Sequence, residues 1–246
     1  MSENDTATED AQYWAPHHIR AAVTATGVVL LDLRQNRYLG LGLRHASELA
    51  TLAANWSHVS TEAQPLPSLS KASVLARAPA FMEAGLLVRH APDVAFNAST
   101  IDLNVQLTSV GLQAQSTASM RPYHVVNFVR ACLWSKQALR SRTLYSVACE
   151  VSAAKSNDSR EPDLLRTTQL VCIFRRLRPY AFESRDRCLF HSLALLRFLA
   201  LYGSHPTWVI GVCAKPWAAH SWLQLNSWVL DANPEEICGF TPILAV

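Results

Sequence analysis

The spacing of apolar and polar residues changes period along this chain. Residues 18–41, "HIRAAVTATGVVLLDLRQNRYLGL", read as three short strands. Val28–Leu33 and Arg37–Leu41 flank "RQN", a polar connection of hairpin length. From 44 to 56, "RHASELATLAANW" switches to helical spacing. "SLSKASVLARA" and "PAFMEAGLLVRH" follow, with Ser68 and Pro79 as helix starts. Three strands and three short helices between residues 15 and 95 predict a small winged-helix-like module.

Residues 91–120 are rich in Ser, Thr, Ala and Asn and poor in charge, and read as a linker over 96–120 with some strand character. Helical pattern returns in "RPYHVVNFVRACLWSKQALRS". It continues in "EPDLLRTTQLVCIFRRLRPYAF", with Asp163 as a cap and Pro179 as a stop. A helix over 187–201 then precedes three strand-like runs, "PTWVIGVCAK", "AHSWLQL" and "SWVLD". Tryptophans 208, 217, 222 and 228 crowd this stretch, mostly as core packing. The predicted class is α+β, with a second domain over 121–246.

Half of the 246 residues are hydrophobic and 17% are charged, ample material for a core. A net charge of +3 does not argue for nucleic acid. Arg175, Arg176 and Arg178 are basic enough to raise it, but arginines on a helix are usually a solvated face. The acidic, polar start, "MSENDTATEDAQYW", lacks the regions of a secretory signal, and residues 1–14 read as a disordered tail. No run approaches a membrane span, so the expected compartment is the cytoplasm. Six cysteines without a C-x-x-C pair predict neither a metal site nor a disulfide framework.

One cysteine stands apart. Cys188, in "RDRCLFHSLALLRFLALYG", opens an otherwise apolar helix. There the helix dipole and unpaired N–H groups favour thiolate over thiol and can hold an oxyanion. His191 lies one turn on but on the same element, where an exposed helix histidine is the plainer reading. His220 opens a strand and is better placed as a base. If Asn226-Ser227 form the hairpin loop, Leu225 pairs with Trp228 and Trp222 with Asp231. His220, Trp222, Asp231 and Asn233 then line one face. Either Asp231 or Asn233 can orient the imidazole.

The run from "DRCLFHSLALLRFLALYG" through "HPTWVIGVCAKPWAAHSWLQLNSWVLDANPEEICGFTPIL" resembles the papain/transglutaminase-like cysteine protease domain of lasso-peptide biosynthesis B proteins. The resemblance implies a leader peptidase with Cys188 as nucleophile, His220 as base and acid, and Asp231 as third member. The family commonly carries its acid one residue later, where this chain has Ala232. The "GVVLLDLRQNRYLGL" hairpin and its helices resemble a PqqD-like leader-recognition domain. A leader strand would add at the sheet edge, against Tyr38, Leu39, Leu41, Phe81 and Leu86. The implied partners are a lasso precursor peptide, an asparagine-synthetase-like cyclase and an exporter. No cofactor is expected, and any ATP enters through the cyclase, since no Walker loop is present. A catalytically inactive peptide-binding chaperone and a winged-helix DNA-binding regulator compete with this reading. The regulator needs a basic recognition helix, and "PAFMEAGLLVRH" is weakly charged before its end.

Overall fold

The protein is described from a computed structural model over residues 12–24, 26–56, 58–60, 66–92, 108–109, 119–156, 163–180 and 188–246. The expected linker therefore lies outside the described residues apart from 108–109 and 119–120. Contacts divide the chain into two compact units, Met1–Phe96 and Asn97–Val246.

In the first unit, β1 (Ile19–Thr24), β2 (Gly27–Asp32) and β3 (Arg37–Leu41) form an antiparallel meander. The β2–β3 turn is built by Asp32. Its Oδ1 accepts from the backbone N–H of Arg34 at 2.8 Å and of Gln35 at 3.0 Å, and Asn36 takes the left-handed conformation. A short β4 (His58–Ser60), not anticipated from sequence, pairs parallel with β1 and completes the order β3-β2-β1-β4. One sheet face packs on α1 (Leu43–Leu52), α2 (Lys71–Val74) and α3 (Ala78–Glu83) through a core that includes Leu30, Leu49, Val74 and Phe81. Buried Glu48 is held there by Arg44 and Arg77, each at 3.4 Å.

The tail expected over 1–14 is corrected at its end. Tyr13 bridges to Ala53, Trp14 exchanges backbone hydrogen bonds with Val88, and the Tyr13 ring is buried in the core. These two aromatics supply apolar area that outweighs the polar composition before them.

In the second unit, α4 (Pro122–Ser141), α5 (Leu144–Ser156), α6 (Leu164–Leu177) and α7 (Cys188–Ala200) accompany a sheet of order β5-β8-β7-β6-β9. The strands are β5 (Thr108–Ser109), β6 (Thr207–Ala214), β7 (Trp217–Leu225), β8 (Trp228–Val229) and β9 (Thr241–Ala245), with α8 (Pro234–Ile237) preceding β9. Asp163 caps α6 by accepting from Arg166 N–H at 3.0 Å. Phe128, Phe174, Phe198 and Tyr202 form an aromatic chain through α4, α6 and the end of α7, with centroids 5.1, 5.5 and 5.1 Å apart. Helix α7 is apolar almost all round because it is enclosed: residues from His191 to Leu199 are buried except Arg197.

Two readings of single residues change. His191 is buried beside Phe190, since the apolar run continues around the helix and leaves it no solvent. Arg175 is not on a solvated face. It donates to the Leu230 carbonyl at 2.8 Å, tying α6 to the end of the sheet. Of the tryptophans, Trp208 and Trp222 are core, whereas Trp217 is 55% exposed.

Candidate functional site

Cys188 is the first residue of α7, half-buried, and one of six free cysteines. The next turn of that face carries Ser192, about 6 Å along the axis. A buried hydrogen-bond chain begins there and fixes helix to sheet. Ser192 Oγ donates to the Leu189 carbonyl at 3.1 Å and lies 2.6 Å from Ser221 Oγ, which accepts from Trp208 Nε1 at 2.8 Å. Each hydroxyl has one proton. Ser192 spends its own on Leu189, so Ser221 donates to Ser192 and the chain runs one way, from Trp208 to α7. This chain secures the first turns of α7 to β7 at the residue beside His220.

His220 pairs with Gly211 across β6 and β7. Its half-buried ring stacks on Trp222 at 6.2 Å and tilts on Phe240 at 5.6 Å. Gly211 makes this grouping possible. A Cβ there would stand 2.7 and 2.8 Å from Trp222 ring carbons and 2.9 Å from the Phe240 Cβ. The Ser221 hydroxyl meets α7, and neighbouring residues on a strand alternate in direction. His220 therefore shares its face with Trp222, away from the Ser221 hydroxyl. Among the described residues no hydrogen bond joins Cys188 to His220. Burial holds the His220 imidazole below its ordinary range, and the Glu236 carboxylate opposes that in part. Glu236 sits on α8, and no sequence spacing marked it.

The predicted hairpin register is present at its start, where Leu225 pairs with Trp228 and Gln224 with Val229, but the expected pairing of Trp222 with Asp231 is not formed. The ladder ends there as a strand, and Asp231 turns inward. Its Oδ1 accepts from Leu223 N–H at 2.8 Å, and burial pushes the carboxyl up to about 6 against the pull of that bond, Arg175 and Arg178. Asn233 caps α8 by accepting from Glu235 N–H at 3.4 Å. Both residues proposed to orient His220 thus have hydrogen bonds to backbone.

In the first unit β3 is an edge strand. Tyr38 is half-buried, and Leu39 and Leu41 pack partly buried against the core. Phe81 and Leu86 are 8% and 5% exposed and belong to that core rather than to an open groove. Leu86 also lies beyond α3, in the turn after Gly85, where positive φ stops the helix. No cluster of metal-ligating residues occurs among the described residues.

Residues 126–245 match the family described as Transglutaminase-like superfamily, so the chain carries a transglutaminase-like domain within its second unit. That superfamily includes cysteine proteases and transglutaminases. No curated protein and no solved structure matches the chain.

Proposed function

We propose that the transglutaminase-like domain is a thiol hydrolase and that the chain acts as a leader peptidase of lasso-peptide biosynthesis. The observation that carries the hydrolase reading is the position of Cys188, the first residue of an α-helix within the transglutaminase-like domain. In this mechanism the Cys188 thiolate attacks the last leader carbonyl and forms an acyl-enzyme. His220 gives a proton to the departing core-peptide amine, then takes one from the water that hydrolyses the thioester. The N–H groups of the first turn of α7 are the ones that would hold the oxyanion. Sulfur and imidazole must come within hydrogen-bond reach for this, and the His220 ring, which lies with Trp222 on the face away from the Ser221 hydroxyl, has to move toward the α7 start to achieve it. Asp231 serves as a positioning residue, acting on His220 through the Leu223 backbone of the same strand.

The leader adds as a strand along β3, beside Tyr38, Leu39 and Leu41. The lasso assignment rests on the sequence resemblance, and the place of β3 at the end of its sheet among the described residues supports its peptide-binding half. The cyclase and exporter are the partners this reading implies, with ATP consumed by the cyclase.

The test is incubation of the purified protein with a candidate precursor peptide and mass analysis of the products. Wild-type protein should release leader and core. Cys188→Ala should release neither while still binding the leader. Core release by that variant would end the protease reading. A catalytically silent peptide-binding protein is the competing account, favoured by the lack of a Cys188–His220 hydrogen bond among the described residues; binding without cleavage by wild type would establish it.

A further inference from the structure

A second candidate site lies at the other end of α7, about 20 Å of helix from Cys188. It is a cleft of about 300 Å³ lined by the start of α4, the first turns of α6 and Tyr202. Arg121 and Arg166 stand on its rim, both exposed, and among the described residues neither guanidinium is in an ion pair. Leu170 and Ile173 form an apolar floor.

The decisive residue is His124. It is only 5% exposed, yet it lines the cleft, and its Nδ1 lies 2.8 Å from Tyr202 Oη. A phenol is the better donor and a neutral imidazole nitrogen the better acceptor, so Tyr202 gives its proton to His124 Nδ1. The imidazole then carries its own proton on Nε2. Burial and the Arg121 charge keep the ring in the neutral form. The cleft thus offers a fixed N–H and two guanidinium groups. The nearby carboxylate, Asp163, is engaged with Arg166 N–H as the α6 cap. The carbonyl end of α7 is closed by its own turn, with Gly203 at positive φ and Ser204 N–H on the Leu199 carbonyl.

We propose that this cleft binds an oxyanion, carboxylate or phosphate, carried on a small apolar stem. Arg121 and Arg166 pair with its charge and His124 Nε2–H donates to one oxygen. The stem follows from size, because the volume equals about ten waters and a bare ion would fill little of it. The site is separate from the proposed hydrolase chemistry and does not depend on it.

Calorimetric titration of the full chain at low salt tests this with four probes: inorganic phosphate, acetate, N-acetyl-leucine and N-acetyl-leucinamide. One of the stemmed or simple anions should bind with Kd near or below about 1 mM, and the uncharged amide at least about tenfold more weakly. Preference between phosphate and N-acetyl-leucine identifies the oxyanion, and N-acetyl-leucine tighter than acetate supports the stem. Arg121→Gln/Arg166→Gln should weaken the bound anion by at least about tenfold. Its melting temperature should stay unchanged, since both side chains are exposed. The His124 ring signals should shift on binding in wild type. No binding by any anion below about 10 mM, equal binding of the amide, or undiminished binding by the double variant would overturn the proposal.

Discussion

His220 and Asp231 are perturbed in ways that titration can read separately. Because burial lowers the His220 pKa, the ring is neutral in the folded chain below the ordinary 6.5. Below 6.5 the unfolded chain binds this proton more readily than the folded one, so stability falls with pH from 6.5 down to the lowered folded midpoint. Its midpoint by NMR should lie under 6.5, and Glu236→Gln should move it lower still, because an opposing charge is removed. An unmoved midpoint would separate Glu236 from the imidazole. Asp231 has the opposite sign. Its carboxyl is raised from 3.8 to about 6, so above about 6 the fold bears the cost of a buried charge. That cost is relieved as pH falls from 6 toward 3.8. Relative to Asp231→Asn, wild type should gain on the order of 2 kcal/mol between pH 7.5 and 4.5 in urea denaturation. Parallel stability curves would rule that out. The hairpin register that brought Asp231 to attention was readable from Asn226-Ser227. The direction of its side chain was not, because alternation between faces ceases where the strand ends after Val229. Glu236 was unreadable for a different reason: only the packing of α8 brings it near β7.

At the scale of elements, the union of α7 with β7 depends on very few polar atoms. Ser221→Ala removes the acceptor for Trp208 Nε1 and the donor to Ser192 inside a buried interface. It should cost about 1–3 kcal/mol in chemical denaturation, and a loss below a few tenths would mean the chain is not cooperative. Gly211→Ala should cost a similar amount, about 1–3 kcal/mol, because two aromatic side chains must retreat from a new methyl. It should also disturb the His220 ring signals, which a change remote from the aromatic group would leave alone. The principal strands of the second sheet were legible because β6 and β7 are long apolar runs bounded by turn residues. The last strand, β9, was not. "TPILA" is short, does not alternate and contains Pro242, which normally argues against a strand. Proline is tolerated because β9 lies at the sheet edge. The helix expected over "PAFMEAGLLVRH" is reduced to Ala78–Glu83, and Gly85 at positive φ explains the early stop.

At the scale of the molecule, each compact unit carries its own buried apolar cluster. Leu30→Ala should destabilise the first unit by about 2–5 kcal/mol. Signals from Trp208 in the second should keep their own midpoint; a joint shift would show the two to unfold as one. The mixed helix-and-sheet class was evident from the changing period of the apolar residues. The non-local pairings were not, because nothing in a local pattern specifies which distant strand will be met. One such pairing matters to anyone who dissects the chain. Strand β5 pairs in parallel with β8 and covers that margin of the sheet, with α4 through α7, β6 and β7 lying between them in the chain. The family match begins only at residue 126. A fragment cut at that boundary would discard the covering strand and bare a row of backbone donors and acceptors to other copies. Such a fragment should precipitate or self-associate where one retaining Thr108 and Ser109 stays dispersed.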